Sequence, residues 1–388
     1  MLNTSTPLFV HYQSETVGRL EQSPDEQLRF QYTESWRVNN HAFPISLSLP
    51  LNGDFSDKAA HHFFVNLLPE ESVRQRICQA LKISPGNDFE LLRAIGGDCA
   101  GALAITEAEQ GLDYDDQYEP IDEKQLANWS AGTPDAFSAI TGQNQVRLSL
   151  AGAQDKLPVH IHDNQFLIPH GNSPSTYLLK FASPFYSHLP ENETFVTLIG
   201  SELGLPVVDI GLHTTSRKRI AVIKRYDRLA TEQGRYQRIH QEDFCQALGI
   251  NPRNKYEKEG GPSISACAKI VRDHCSLPIV ELKKLVNWVL FNLLIGNSDA
   301  HGKNLSLLYL PNGQRTLAPF YDLVCTRNYP RIDRHLAMKI GDRSDPDLVG
   351  KVQLKQMASE LGVGELAAKT MIQNMPIGIK NASQLFHR

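Results

Sequence analysis

The stretch LIGNSDAHGKNLSLLY, residues 294–309, sets Asp299, His301, Lys303 and Asn304 directly behind an almost wholly apolar run, LVNWVLFNLL. Asp299 and Asn304 stand five apart. A loop of that length can aim a carboxylate and an amide oxygen at one polyphosphate–metal site, and magnesium takes such hard oxygens, often only one or two of them from protein. In phosphoryl transfer one Asp accepts the proton of the attacking hydroxyl while an Asn five residues on holds the metal. The same residues also read as an ordinary helix C-terminus capped by Gly296 and Asn297. Asp322, in LAPFYDLVCT, favours the first reading. The residues before it, LSLLYLPNGQRTLAP, read as a β-hairpin with Asn312-Gly313 at the turn. A hairpin returns its end to its start, so Asp322 comes back beside Asn304 as a second hard ligand. A surface turn aspartate is the plainer alternative.

Lys180 lies in TYLLKFA, a strand-like piece with aliphatic neighbours. Lysine is rarely buried unless paired. There it can reach α- and β-phosphates and pair with a helix glutamate, for which Glu193 is the nearest candidate; an edge-strand lysine that discourages aggregation is the alternative. SLAGAQDK, residues 149–156, places small residues and one glycine between strand-like pieces. Backbone N–H groups in such a turn can cradle phosphate, although the stretch is neither G-x-G-x-x-G nor G-x-x-x-x-G-K-[ST] and also reads as a tight hairpin turn. Ser149 would put a phosphorylatable hydroxyl beside that site. His61-His62 has no carboxylate at metal spacing and reads as packing or surface. The basic run TTSRKRIAVIKRYDR reads as a solvated strand turn.

These groups need scaffolding elements. Residues 1–106 read as an α+β unit: strands in PLFVHYQSETVGRLE, LRFQYTESW and FPISLSLPL, a helix from a cap at Ser56 or Asp57, a restart at Pro69-Glu70-Glu71, then helix, Gly-Gly break and strand in DFELLRAIGGDCAGALAI. Residues 107–144 are acidic and turn-rich, a linker or lobe edge. Residues 145–235 are strand-rich: a hairpin turning at Asp163-Asn164, a strand in STYLLKFAS, a helix NETFVTLIGSELGL with Glu193 in its first turn, and a strand pair in VVDIGLHTTSRKRIAVIKRYDR. Residues 236–388 read as helices: HQEDFCQALGI, SISACAKIVRDHC, PIVELKKLVNWVLFNLLIG, LVGKVQLKQMASELG and VGELAAKTMIQNM. A β-rich half followed by a helical half fits two lobes with a ligand cleft.

Composition sets the bounds. The chain has 388 residues, 41% hydrophobic and 21% charged, with a formal net charge of -4. That suits a globular protein of two or three domains and argues against a broadly basic surface gripping nucleic acid. The six cysteines form no C-x-x-C pair, so they read as buried thiols in a reducing compartment. No signal peptide and no membrane-length apolar run is seen; the expected location is the cytoplasm.

Taken in order, SLAGAQDK, IPHGNSPSTYLLKF, NETFVTLIGSELGL, IKRYDR, HQEDFCQALG, KYEKEGGPS, GNSDAHGKN and PFYDL resemble the HipA family, serine/threonine protein kinases that are toxins of bacterial type II toxin–antitoxin pairs. The resemblance runs from about Gln145 to at least Met338, and the opening subdomain is similar more loosely. It implies an α+β, two-lobed protein-kinase-like fold: a β-rich N-terminal lobe with an extra N-terminal subdomain, and an all-helical C-terminal lobe. It implies ATP and Mg2+ as cofactors, Asp299 as catalytic base and Asn304 and Asp322 as metal ligands. Lys180 would contact ATP phosphates under a loop of Ala151, Gly152, Ala153, Gln154, Asp155 and Lys156. Lys224, Arg225 and Tyr226 would meet adenine, largely through backbone; the family often has an acidic residue where this chain has Lys224. His301, Lys303 and Tyr321 join the nucleotide set. Ser149 matches a position that family members autophosphorylate, which expels the phosphate loop and silences the enzyme. NSD stands where common protein kinases have His-Arg-Asp, and YDL where they have Asp-Phe-Gly. The implied partners are a DNA-binding helix-turn-helix antitoxin like HipB, operator DNA mainly through that antitoxin, and glutamyl-tRNA synthetase as protein substrate, whose phosphorylation halts translation and favours dormancy. A catalytically idle co-repressor scaffold and a small-molecule kinase are the rival readings.

Overall fold

A computed structural model describes residues 6–110, 116–132, 154–232 and 234–385. The chain divides into two compact units. One holds the residues up to Ser187 with Leu212–Glu242 and Gln246–Pro252; the other holds His188–Gly211, Asp243–Cys245 and Arg253–Arg388.

The first unit opens with β1 (Leu8–Tyr12), β2 (Glu15–Gln22) and β3 (Leu28–Tyr32). In β3 the sequence LRFQY buries Leu28, Phe30 and Tyr32 and exposes Arg29 and Gln31, the alternation of a half-buried strand. A one-turn helix α1 (Glu34–Arg37) buries Trp36. Helix α2 (Asp57–Val65) starts at Ser56, whose hydroxyl accepts the Ala59 N–H and so satisfies one orphan donor of the first turn. Helices α3 (Glu71–Leu81) and α4 (Asp88–Ile95) follow, and β4 (Leu103–Thr106) completes a sheet of order β3-β2-β1-β4.

FPISLSLPL, expected as a strand, has only an isolated bridge between Ser46 and Leu49. Its backbone is satisfied by buried side chains instead of a ladder. The Ile45 N–H donates to Tyr32 Oη (2.9 Å), Tyr32 donates to the Leu49 carbonyl (2.7 Å), and Glu242 accepts the Leu47 N–H (3.1 Å).

The second sheet has the order β5-β7-β6-β8-β10-β9: β5 (Tyr118–Pro120), β6 (Lys156–His162), β7 (Gln165–Pro169), β8 (Tyr177–Lys180), β9 (Ile210–Thr214) and β10 (Arg219–Lys224). Asp163 and Asn164 turn the β6–β7 hairpin, both at positive φ (49° and 60°), as a type I′ turn requires. In the acidic stretch 107–144 the described residues form β5 and helix α5 (Glu123–Ser130), which Asp122 and Gln125 close with a capping box. One apolar core joins both sheets, from Leu8, Phe30 and Phe64 to Leu157, Leu179 and Ile220. Strands β11 (Arg228–Ala230) and β12 (Tyr236–Arg238) pair, and β13 (His240–Asp243) follows. HQEDFCQALGI, expected as a helix, is therefore strand for four residues and helical only in α7 (Phe244–Ala247). Buried His240 and Glu242 are two apart, a spacing that shares one face on a strand but not on a helix.

In the second unit, helix α6 (Leu189–Glu202) begins earlier than the sequence suggests, with Pro190 in its first turn and Glu193 in its second. Helices α8 (Ile264–His274) and α9 (Pro278–Ile295) lead to a hairpin of β14 (Ser306–Tyr309) and β15 (Arg315–Leu317). This hairpin lies in a largely helical unit rather than an all-helical one, and α10 (Lys351–Glu360) and α11 (Glu365–Leu385) follow it. Helix α11 runs through Pro376, where the sequence reading ended it. The proline forfeits a backbone bond, but buried Ala382 and the close seat of Gly378 on Leu203 hold the remainder in place.

Candidate active site

Helix α9 is apolar on nearly every face and buries Leu285, Val286, Trp288, Val289 and Phe291, so it is a core helix that needs an abrupt stop. Gly296 provides it at φ +73°, with the Asn297 N–H closing a six-to-one bond on the Asn292 carbonyl (2.9 Å). A Cβ at Gly296 would lie 2.7 Å from Arg327 Cδ. Both the backbone conformation and the packing therefore demand glycine.

The loop that follows is fixed residue by residue. Ser298 donates its N–H to Thr326 Oγ1 (2.8 Å) and its hydroxyl to the Asp333 carbonyl (2.6 Å). The Asp299 N–H donates to Asn297 Oδ1 (3.1 Å). The Asp299 carbonyl accepts from the His301 N–H (2.8 Å) and from Asn304 Nδ2 (3.0 Å). The five-residue spacing of Asp299 and Asn304 thus closes one loop. That bond uses the Asn304 nitrogen, so its amide oxygen is the atom suited to a cation. At Gly302 a Cβ would meet Pro262 Cγ at 2.6 Å and Cys245 Sγ at 3.2 Å.

Asp322 is tied to the same loop. Phe320 donates its N–H to the Pro206 carbonyl (2.7 Å) and accepts from the Val208 N–H (3.0 Å). Beyond it Asp322 sits at φ +54°, a left-handed conformation costing about 1–2 kcal/mol for a residue with a Cβ. The Asp322 carbonyl accepts from Asn297 Nδ2 (3.4 Å), which also donates to Asn292 Oδ1 (2.7 Å). Asn297 therefore bridges Asp299 and Asp322 from a buried position. Tyr321 donates to the Lys303 carbonyl (2.7 Å), and Lys303 Nζ lies 3.6 Å from Asp243 Oδ2. The Asp299 side chain is 49% exposed, its Oδ1 3.9 Å from His301 Nε2, and it accepts a hydrogen bond from the Tyr256 hydroxyl. Asp299, His301 and Asn304 are accordingly linked to one another and, through Asn297, to Asp322, while Tyr321 and Lys303 are linked to each other. Asn297, read only as a cap, and Tyr256 were missed: each acts through a contact that no local spacing announces.

In the first unit Lys180 ends β8, 4% exposed, with Lys156 of β6 as its register partner on one side and Ala221 of β10 on the other. Directly opposed side chains share a sheet face, so Lys156 and Lys180 lie on one face of the sheet. Gln154 donates to the Phe181 carbonyl (3.3 Å), and the Asp155 carboxylate pairs with Arg76. Ser149, Ala151, Gly152 and Ala153 lie outside the described residues. Lys224 is exposed at the end of β10, and Tyr226 donates to Gln241 Oε1. Glu193, the suggested partner of Lys180, belongs to the second unit.

Arg225 is turned inward. Its guanidinium donates to Asp227 (2.7 and 2.9 Å), Asp98 (3.2 Å), Ser175 Oγ (2.8 Å) and the Cys99 carbonyl (2.8 Å), and its N–H donates to the Thr176 carbonyl (2.9 Å). Arg228 and Arg238 complete the buried cluster on Asp98 (2.6 and 3.4 Å). Burial alone would push the Asp98 carboxyl up, but the guanidiniums of Arg228, Arg225 and Arg238 outweigh it and hold its pKa well below the usual carboxylate range. The Arg225 guanidinium is thus committed to this buried cluster. The basic run divides accordingly: Arg217, Lys218 and Arg219 are solvated, as read, whereas Arg225 and Arg228 are core. His61 accepts the Leu28 N–H (3.2 Å) and His62 contacts the Gly249 carbonyl (2.6 Å), the packing roles expected of them.

Among the described residues no group of three or more His, Cys, Asp or Glu side chains could hold a metal ion, and no helix is long and apolar enough to cross a membrane. The donor set of Asn304 and Asp322 fits a magnesium ion whose other ligands are phosphate oxygens and water.

This mixed helix-and-sheet fold is that of a serine/threonine protein kinase. The model of the HipA-like C-terminal domain matches residues 148–382 and that of the HipA N-terminal domain residues 8–106, and the chain belongs to the HipA family. It is 37% identical over 374 residues to the putative kinase Y4mE of Sinorhizobium fredii, covering 95% of this chain and 89% of that protein. To the serine/threonine-protein kinase toxin HipA of Shewanella oneidensis it is 33% identical over 346 residues, covering 86% and 78%. A solved complex of Shewanella oneidensis MR-1 HipA with HipB and operator DNA contains a chain that superposes with a TM-score of 0.83 at 30% identity, covering 97% of this chain and 90% of that one.

Proposed function

We propose that the chain is an ATP- and Mg2+-dependent kinase acting as the toxin of a type II toxin–antitoxin pair. Asp299 accepts the proton of a serine or threonine hydroxyl as that oxygen attacks the γ-phosphorus and ADP departs. Asn304 and Asp322 hold the divalent ion, which when bound neutralises charge on the phosphate oxygens. Lys180 and Lys156 contact phosphates, His301, Lys303 and Tyr321 frame the nucleotide, and the backbone after Lys224 meets adenine. The observation that carries this reading is the Asn297 bridge: one buried amide joins the backbone of Asp299 to that of Asp322, the positional rigidity that phosphoryl transfer needs. The strained Asp322 adds support.

On this reading glutamyl-tRNA synthetase is the protein substrate, a HipB-like antitoxin binds the kinase, and together they repress their operon, the antitoxin supplying most DNA contacts. Autophosphorylation of Ser149 silences the enzyme. The test incubates the purified chain with γ-labelled ATP, Mg2+ and glutamyl-tRNA synthetase. Label should enter the synthetase, disappear with EDTA, and accumulate on the chain itself unless Ser149→Ala is introduced. Transfer to another protein would overturn the substrate, transfer only to small hydroxylated metabolites would overturn the protein-kinase assignment, and an unlabelled chain would remove self-silencing.

A further inference from the structure

We propose that Tyr256 is a positioning residue for phosphoryl transfer: its phenol holds one oxygen of Asp299 so that the other faces the acceptor hydroxyl. This rests on the reading of Asp299 as base. The Asp299 backbone is fixed at both its N–H and its carbonyl, yet its carboxylate is half exposed. An exposed carboxylate turns about χ2 over a broad range, and a general base that turns loses the alignment the reaction needs. The Tyr256 hydroxyl donates to Oδ1 and removes that freedom.

The tyrosine is itself held in place. Its carbonyl accepts from the N–H groups of Glu259 and Gly261 (both 2.9 Å). At Gly261 a Cβ would come within 2.4 Å of the Asn254 carbonyl oxygen, so the turn is tight. Next to it, Glu257 is anchored to the segment beyond the catalytic loop: its N–H donates to the Ala337 carbonyl (2.9 Å) and its carboxylate accepts the Lys339 N–H (2.6 Å). Lys258 pairs with Asp333 (2.9 Å), whose carbonyl accepts from Ser298 beside Asp299. The ring meets His301 edge-on at 5.3 Å, with the Lys255 and Lys258 ammoniums 5.7 and 5.9 Å from its centre. Two routes therefore fix the phenol relative to the loop that carries Asp299, and a built mount of this kind suits a positioning role.

Tyr256→Phe keeps the ring and its packing and removes only the hydroxyl. Transfer of label from γ-labelled ATP into glutamyl-tRNA synthetase and into the chain itself would be measured for wild type, Tyr256→Phe, Asp299→Asn and the double variant, with binding of a fluorescent ATP analogue and thermal melting on the same samples. Tyr256→Phe should lower kcat roughly ten- to a hundredfold with KM for ATP, analogue binding and melting unchanged, and its effect should vanish in the Asp299→Asn background. Wild-type kcat in Tyr256→Phe, or an equal loss in both backgrounds, would overturn the positioning role and leave Asp299 intact. Full activity in Asp299→Asn would instead remove the base itself, and Tyr256 with it. A rise in kcat would make the tyrosine a brake, the opposite of its proposed role.

Discussion

Asn297 is short, buried and fully used: its oxygen accepts from Asp299, and its nitrogen donates to Asn292 and Asp322. One amide thereby sets the distance between the proposed base and a proposed metal ligand, in a place where a longer or charged side chain would bring more freedom or an unpaired charge. Asn297→Ala leaves buried partners unsatisfied and should cost about 1–3 kcal/mol of stability. It should also lower kcat roughly ten- to a hundredfold because both carboxylates lose their reference point. Urea unfolding and transfer rate on the same preparation check this, and a wild-type rate in the folded variant would mean that the two aspartates are held by other means. The spacing of Asp299, Asn304 and Asp322 was readable in the sequence because a loop and a hairpin confine them. Asn297 and Tyr256 were not, because their partners lie 25 and 43 residues away along the chain.

Elements declared by local chemistry were equally legible. Ser56 caps its helix, Gly296 stops α9, and Asp163-Asn164 and Asn312-Gly313 turn hairpins. The failures share a cause. FPISLSLPL and HQEDF each satisfy the other: Ser46 donates to Glu242, 196 residues away, and His240 contacts the Ile45 carbonyl (2.8 Å). Propensity sees strand in one and helix in the other, while the buried polar side chains decide for neither. Arg225 was misjudged in the same way, since Asp98, which draws it inward, lies 127 residues earlier. Asp98 joins the turn after α4 to the strands that carry the basic run. Asp98→Ala would take one of two carboxylates from a buried cluster of three guanidiniums, leaving Asp227 alone to face Arg225 and Arg228, and should cost roughly 3–5 kcal/mol. A fall in unfolding free energy below about 1 kcal/mol would show that the arginines find water or other partners.

At the largest scale, the first unit packs its two sheets on one apolar core, and its buried histidines tie that unit to pH. Burial pushes the His240 imidazole down to about 4, with the bond to the Ile45 carbonyl opposing; His11 and His160 are lowered by burial in the same direction. Unfolded imidazole titrates near 6.5. Between these values the unfolded chain binds a proton that the folded chain refuses, so stability present above about pH 6.5 is lost as pH falls toward about 4. His240 alone should remove about 2 kcal/mol between pH 7 and pH 5. Urea midpoints at the two pH values measure it, and an unchanged midpoint would place the imidazole in contact with solvent.

The proposed function turns on Asp299. Transfer of γ-phosphate by Asp299→Asn, with binding of a fluorescent ATP analogue recorded on the same sample, should fall roughly a hundred- to ten-thousandfold while the analogue still binds. Transfer at the wild-type rate would contradict the proposal that this carboxylate is the base.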